Sequence, residues 1–399
     1  MQIEIKNSEI FLPRCSFLSP SLNCGLIFFC NFATEFMKVK EITSAIEKFA
    51  PLHLQESYDN AGMQVGDADS VITGVVLCTD VSNAIVDEAI ACGANLIISH
   101  HPLIFHGLKK LTGRSDVERM VIKAIRHGIS IYSAHTNIDN ARGGVSYKMA
   151  EKLGLKNVEV LDPQVGTLCK IVVFVPLQQA AEVEQAMWDA GAGQLGDYHR
   201  CSYRLQGEGR FCPCPGANPF VGETGTDHVE PEIRLEVLVS KARSGAVLAA
   251  MLKAHPYEEP AFDVIPLDNA DRYSGSGVIG DIQPGSATSF LQQLKATFGV
   301  HTLRYSGNLT RSIKRVALCG GSGAFLIQKA ISRGADIYVT GDLKYHEFQG
   351  HEQRIILADI GHYESEQFTK ELFADIIAAL HPDFEVNFAK AETNQIKYF

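Results

Sequence analysis

Four short polar segments of this chain carry histidines and carboxylates directly after apolar runs that resemble strands. Imidazole nitrogens and carboxylate oxygens together form a borderline ligand set that suits Zn²⁺, Mn²⁺ or Fe²⁺ rather than Ca²⁺. The sequence therefore predicts a transition-metal site built from these segments. In chain order they are His100-His101-Pro102, His135 to Asp139, Gly341-Asp342 with His346-Glu347, and His362 to Glu366.

Five residues of these segments are the candidate metal ligands. His100 and His101 are adjacent on an extended segment, where neighbouring side chains point in different directions, so they suit two metals better than one. His362 and Glu366 share a face if a helix begins there, because they stand at i and i+4. The carboxylate of Asp139 completes the set.

Three neighbouring residues have roles that the sequence leaves open. His135 is as reasonable a residue for orienting a metal ligand as for binding the metal itself. Asp342 and His346 could orient a ligand or contact a substrate, and the alternative is a helix cap beside a surface histidine.

Two other motifs are weaker candidates. Cys201, Cys212 and Cys214 could bind zinc, but Cys-Pro-Cys lacks the usual two-residue gap and a matching second pair. Gly320 to Gly323 follows a strand and opens a helix, so its backbone amides could bind a phosphate, or it simply forms a tight turn.

The elements that must position these residues form an internal repeat. Val75 to Cys78 matches Val316 to Cys319, and at the same offset Gly93-Ala94 matches Gly334-Ala335. Each copy predicts a buried strand, a helix that ends at the glycine, and a second buried strand, which is typical of a parallel sheet. Ligands bind beyond the carboxyl ends of such strands, so two halves packed about a pseudo-two-fold axis would bring the polar segments into one cleft.

A segment of different character separates the two repeats. Its apolar pattern predicts strand, helix, a polar stretch rich in Gly, Pro and Cys (Gly207 to Gly225), then strand, helix and strand. Two β-α-β passages in about 100 residues predict a ferredoxin-like α+β module inserted into an α/β core. The predicted domains are an N-terminal extension at 1–36, expected to be a disordered tail or to precede the true start, core half 1 at 37–166, the inserted domain at 167–268, and core half 2 at 269–399.

The composition limits the classes of function. The formal net charge is −10, which argues against a protein that mainly grips nucleic acid or an anionic membrane. Apolar residues make up 46% of the chain, but no apolar run reaches the ~18 residues of a membrane-spanning helix. The ten cysteines are scattered, so we expect reduced thiols in a cytoplasmic protein.

Together these motifs resemble a known family, the dinuclear metal-centre proteins named GTP cyclohydrolase I type 2 homologues, also called Nif-three-like proteins. The resemblance covers about Met37 to Phe399 and extends to the inserted module, which is similar to the PII or copper-tolerance type of domain. The motifs that carry it are Ser57 to Gln64, Ser99 to Leu103, His135 to Asp139, Gly341 to Glu347, and Gly361 to Glu366.

The resemblance implies a site, an assembly and an activity. It implies that His100, His101, Asp139, His362 and Glu366 bind two divalent metal ions, with Glu366 bridging them. It also implies a homohexameric toroid. The family name implies hydrolysis of a small-molecule substrate such as a nucleotide or another heterocycle by a metal-activated water. The alternative function is a non-catalytic metal-binding or regulatory protein whose inserted domain senses a small ligand.

Overall fold

The computed structural model describes residues 37–397. The predicted N-terminal extension, residues 1–36, lies outside the described residues. The strands are β1 Gly62–Val65, β2 Val75–Cys78, β3 Leu96–Ser99, β4 Ser130–Ser133, β5 Lys156–Gln164, β6 Leu168–Pro176, β7 Tyr203–Phe211, β8 His228–Ser240, β9 Phe262–Leu267, β10 Asp271–Ser286, β11 Arg304–Ser306, β12 Ser312–Ser322, β13 Ile337–Gly341, β14 Ile356–Asp359 and β15 Val386–Phe388.

The α-helices alternate with many of these strands, and short 3₁₀ turns lie at Leu52–Leu54, Ala324–Leu326 and Tyr345–Phe348. Within residues 37–397, no helix has both the length and the apolar character needed to cross a bilayer. The helices are α1 Val39–Phe49, α2 Asn83–Cys92, α3 Asp116–Arg126, α4 Thr136–Asp139, α5 Val145–Leu153, α6 Ala180–Asp189, α7 Lys241–Ala254, α8 Ala287–Phe298, α9 Ile327–Ser332, α10 His362–Glu366 and α11 Thr369–Leu380.

Helix α2 shows how local sequence sets the boundaries of the repeated unit. The Ser82 side chain accepts a hydrogen bond from the backbone N–H of Ile85, which satisfies one of the free donors of the first turn. At the other end Gly93 adopts a left-handed conformation with φ 72°, which closes the helix as predicted. The helix buries Ile85, Val86 and Ala89 against its sheet.

Two mixed sheets confirm that the core is α/β. The first has the order β1-β4-β3-β2-β15 and the second the order β11-β14-β13-β12-β10-β5. Strands β2, β3 and β4 run parallel, and so do their repeat counterparts β12, β13 and β14. The central strands are fully buried, which is the usual state of parallel strands covered on both faces.

Segments of the chain cross between the two sheets. Strand β5, from the predicted first half, pairs with β10 in the second sheet, and β15, near the chain's end, pairs with β2 in the first. Helix α11 buries Phe373 and Ile377 in the core beneath the first sheet. After β15, the Glu392 carboxylate accepts the backbone N–H of Thr79 at 2.5 Å. The boundaries at 166 and 269 remain a prediction, and they miss this exchange because it depends on tertiary pairing.

A third sheet lies within the predicted inserted segment. Its order is β7-β8-β6-β9, every pair is antiparallel, and α6 and α7 cover one face. The chain order βαββαβ is that of a ferredoxin-like module. Strand β7 runs into the predicted polar stretch and includes its Gly207 and Gly209. The sequence pattern did not predict this strand, because most of β7 is exposed and lacks apolar alternation.

Candidate metal centre

The candidate ligands stand where parallel strands of both sheets end. His100 and His101 directly follow β3, and Asp139 closes the short helix α4 that follows β4. His362 and Glu366 are the first and last residues of α10, which follows β14, so the predicted helix at this position is present. The carboxyl ends of the two sheets thus supply the same cluster of side chains.

Glu366 lies at the middle of this cluster. Its side chain is 3% exposed, and its Oε2 is 3.0 Å from His101 Nε2 and 3.1 Å from His362 Nε2. Its Oε1 is 3.5 Å from His100 Nε2, which is 3.7 Å from Asp139 Oδ1. One oxygen of the Glu366 carboxylate therefore faces the Nε2 atoms of His101 and His362. The other oxygen faces His100 Nε2, which lies beside the Asp139 carboxylate.

Each histidine of the cluster is held through its Nδ1 atom. His100 Nδ1 lies 2.9 Å from the backbone oxygen of Ala134, and because a carbonyl can only accept, this nitrogen carries the proton. His101 Nδ1 lies 2.8 Å from Asp80 Oδ1, and His362 Nδ1 lies 2.7 Å from Asp342 Oδ2. Such partners fix the imidazole tautomer and leave the Nε2 lone pair free to bind a metal.

Several nitrogen and oxygen atoms that point into the cluster have no hydrogen-bond partner, although buried polar atoms normally have one. Among residues 37–397, His100 Nε2, Asp139 Oδ1 and Glu366 Oε2 are buried and make no hydrogen bond. His101 Nε2 and His362 Nε2 stand 3.2 Å apart, and when the protons of both rings lie on Nδ1 these two nitrogens face each other with their lone pairs. Buried groups of this kind are normally paired, and a cation between them would satisfy all of these lone pairs. The residues present therefore fit a metal.

The pKa shifts of the clustered side chains also indicate a site that favours a cation. Burial alone would lower the pKa of His101, but the carboxylates of Asp80 and Glu366 raise it to about 10. Burial also opposes the charged form of His362, and Glu366 and Asp342 raise its pKa to about 9. Burial raises the pKa of Asp139, the His100 imidazole opposes that rise, and the Glu366 carboxylate adds to it. The cluster favours added positive charge, which a divalent ion supplies.

The glycine-rich segment, Gly320 to Gly323, begins inside β12 and approaches Glu366. A Cβ atom on Gly321, which has φ 62°, would stand 2.2 Å from Glu366 Oε1. The Gly321 N–H donates to Ser365 Oγ at 2.9 Å. Strand β12 extends to Ser322 and a 3₁₀ turn begins at Ala324, so only Gly323 lies between strand and helix, and Gly321 leaves room for the central carboxylate.

The three residues with open roles fall in different places. His135 is gathered with His100 and His101, and its Nδ1 lies 2.8 Å from Asp59 Oδ1. Asp342 contacts His362 at Nδ1, the ring nitrogen that points away from the cluster. Its backbone has φ 56°, a left-handed conformation that Asp tolerates better than most residues. His346 is exposed and contacts Gln349 Oε1 at 3.3 Å, so the structure does not bring it to the cluster.

The sequence patterns did not identify two carboxylates that hydrogen-bond to histidines of the cluster. Asp59 accepts from His135 and Thr136, and although burial alone would raise its pKa, these hydrogen bonds lower it to about 2. Asp80 supports His101. Asp80 follows β2 as the histidines follow β3, so its position at a strand end is the signal that could have found it. By contrast, no cluster of ligand atoms within residues 37–397 includes Cys201, Cys212 or Cys214.

Replacing Asp80 with Ala is expected to lower metal affinity by about 10- to 100-fold, because His101 loses the acceptor that fixes its tautomer and orientation. Isothermal titration of the metal-depleted protein with zinc measures the change. Asp87→Ala is the matched control, because Asp87 is exposed on α2 and pairs with Lys123 of α3, away from the cluster. Equal affinities for the two variants would contradict this role of Asp80.

Two sheets joined by exchanged strands, with a histidine and carboxylate cluster at their carboxyl ends, define a class of α/β proteins with a candidate metal centre. The chain belongs to the Duf34/NIF3 (NGG1p interacting factor 3) family, whose model matches residues 37–395. The resemblance drawn from the sequence motifs is thereby confirmed.

Similar proteins cover most of the chain. A GTP cyclohydrolase 1 type 2 homolog of Halalkalibacterium halodurans is 40% identical over 307 residues, which is 76% of this chain and 82% of that protein. The Bacillus subtilis protein of the same name is 36% identical over 362 residues, 89% of this chain and 96% of its own length. The crystal structure of a Bacillus cereus protein related to NIF3 superposes with a TM-score of 0.78 at 36% identity, covering 91% of this chain and 100% of that one.

Proposed function

We propose that the chain is a dinuclear metal-binding protein and a metal-dependent hydrolase that acts on a nucleotide-like or heterocyclic substrate. The observation that carries the proposal is the position of Glu366, whose two oxygens face two groups of donors. In this assignment His100 and Asp139 would hold one ion, His101 and His362 would hold the other, and Glu366 would serve as a ligand to both. Residues other than the ligands keep supporting roles, including Asp59 and Asp342.

Bound zinc, iron or manganese ions supply Lewis-acid chemistry that lowers the pKa of water and stabilises negative charge on oxygen. The chain's own residues prepare the site for this chemistry. Asp80 and Asp342 keep the protons of His101 and His362 on Nδ1, away from the cluster. Asp59 orients His135 with its Nε2 toward the cluster, where it can hold or move a proton near the reacting group.

An arginine-lined cavity supports a nucleotide-like substrate. Its volume is about 890 Å³, and its lining includes Arg142, Arg200 and Arg243. Arg142 stands three residues after Asp139 in the sequence, but none of the candidate metal ligands lines the cavity. Such a concentration of positive charge, in a chain of net charge −10, suits the phosphate groups of a substrate.

The test begins with elemental analysis of protein purified without chelator and reconstituted in excess metal. We expect two transition-metal ions per chain, as the donor groups around Glu366 require. One ion or none would contradict the dinuclear assignment. A hydrolase screen of nucleotides and heterocycles follows with the matching metal. Turnover should need the metal, and Arg243→Gln should raise KM for a phosphorylated substrate more than it lowers kcat.

A second candidate function is a non-catalytic metal-binding or regulatory protein that senses a small ligand. The observation that favours it is a cavity of about 720 Å³ on the four-stranded sheet, which contains none of the candidate metal ligands. A protein that holds two ions yet hydrolyses no nucleotide or heterocycle in the screen would support this candidate over the hydrolase.

We also propose a homohexamer, in which the four-stranded sheet is the PII-like inserted domain, and a cytoplasmic location. Support for assembly comes from apolar side chains left exposed on β9, among them Phe262, Val264 and Ile265. Support for the location comes from free thiols at buried positions such as Cys78 and Cys169. Light scattering on the purified protein tests the assembly, with six times the chain mass expected.

A further inference from the structure

A cavity of about 720 Å³ opens on the face of the four-stranded sheet that α6 and α7 leave uncovered. Strands β6, β7 and β8 form its floor, and the loop after β7 together with Tyr257 forms its walls. This volume is within the range of about 300–1,000 Å³ that small-molecule sites occupy. More of its surface is apolar than polar.

One carboxylate is buried in the floor of this cavity. Glu232 is 7% exposed, and its Oε1 accepts the hydroxyl of Tyr257 at 2.9 Å. Within residues 37–397, that hydroxyl is the one donor to this carboxylate, and no cationic side chain pairs with it. A buried carboxylate normally has a charged or multiply hydrogen-bonded environment, so Glu232 has unused capacity to bind a cation.

The backbone of β7 leaves space for that carboxylate. A Cβ atom on Gly209 would stand 2.3 Å from Glu232 Oε2. Any larger residue at this position would displace the carboxylate, which therefore lies against bare backbone. The glycine explains how a charged group can reach the floor of an apolar cavity.

Aromatic rings line the cavity around this carboxylate. The ring centroids of Phe211 and Tyr257 are 5.8 Å apart, and those of Phe220 and Tyr257 are 6.3 Å apart. The faces of aromatic rings attract cations, and sites for quaternary ammonium groups are built in this way. The rings also provide apolar surface for the uncharged part of a ligand.

The remaining charges of the lining favour a cation as well. Two arginines line the cavity, and Arg234 is engaged by Glu236, whose Oε1 accepts from Arg234 Nε at 2.9 Å. Glu208, Glu258 and Glu259 add to Glu232, so carboxylates outnumber guanidinium groups in the lining. The cavity therefore carries excess negative charge.

We propose that this cavity binds a small organic cation, an amine or quaternary ammonium compound. Its charged nitrogen lies at Glu232, and its apolar part packs against Phe211, Phe220 and Tyr257. The inference goes beyond the proposed hydrolase function and is independent of it, because none of the candidate metal ligands lines the cavity. It gives the four-stranded sheet a ligand of defined chemistry.

The test uses choline and its neutral isostere 3,3-dimethylbutan-1-ol, with isothermal titration of the full chain. Choline is expected to bind saturably, and the isostere about tenfold or more weakly, because it has the shape without the charge. Glu232→Gln should weaken choline binding by roughly 30-fold, as expected when one partner of a buried charged pair is removed. Glu182→Gln, on an exposed position of α6, is the matched control and should bind as the unchanged chain does.

A second variant keeps the test decisive if Glu232→Gln does not fold. Phe211→Leu keeps an apolar side chain but removes a ring face, so it should weaken choline more than the isostere. Circular dichroism and thermal melting verify folding of each variant. Equal affinity for choline and its isostere, no saturable binding of choline, or unchanged binding by folded Glu232→Gln would overturn the proposal. Metal content and hydrolase activity are measured separately, so either proposal can fail alone.

Discussion

Replacing Glu366 with Gln is expected to lower metal occupancy at both positions together. The substitution keeps the size of the side chain but removes the negative charge that offsets repulsion between two nearby cations. Loss of a residue that merely orients a ligand costs about 10- to 100-fold in affinity, so loss of this shared ligand should cost about 100-fold or more at each position. Elemental analysis after dialysis measures the metal that remains.

Two variants sharpen this experiment. Asp139→Asn should weaken one metal preferentially, because Asp139 faces His100 and stands on one side of Glu366. Glu364→Gln is the matched control on the same helix, since Glu364 accepts from Asn394. If Glu366→Gln and Asp139→Asn each remove one metal independently and to the same extent, Glu366 does not bridge.

Removing the four-stranded sheet is expected to leave a folded core that still binds metal but assembles differently. Leu168 and Leu267 are paired across β6 and β9, so the two ends of the segment lie about 5 Å apart. A short Gly/Ser linker can join the flanks without moving either, and all five candidate ligands lie outside the deletion. The measurements are metal per chain, mass by light scattering, and thermal stability.

The control for the deletion is the full chain with the same linker inserted before Leu168. Any effect of the linker alone then appears in both proteins. We expect both to hold equal amounts of metal, with a lower oligomer mass for the shortened chain. A shortened chain that does not fold, or that folds without metal, would show that the domain boundary or the ligand set is misplaced.

The repeat and the gathering of the histidines could be predicted because they depend on local patterns. Buried strands appear as continuous apolar runs, and the chemistry of a parallel sheet collects where those strands end. His100, His101 and His362 follow such runs directly, and the structure gathers them. His346 also follows a buried strand, but an intervening exposed turn carries it away from the cluster.

The supporting carboxylates and the exchanged strands could not be predicted in the same way. Asp59 reaches His135 from a segment distant in the chain, and no periodicity links the two. Strand β5 has few apolar residues at its start, and its partner β10 lies beyond the inserted segment. Both features arise from pairing between remote segments, which a single sequence does not encode as a visible pattern.

The pairing of β15 with β2 has a consequence for synthesis on the ribosome. Strand β2 emerges early, yet its outer neighbour β15 is translated about 300 residues later. At about 5–20 residues per second, that edge waits on the order of tens of seconds for its partner. Until then its backbone groups are open to pairing with other chains. Helix α10 also emerges about 280 residues after β2, so the proposed metal centre, which needs His362 and Glu366, cannot be complete before that segment is translated.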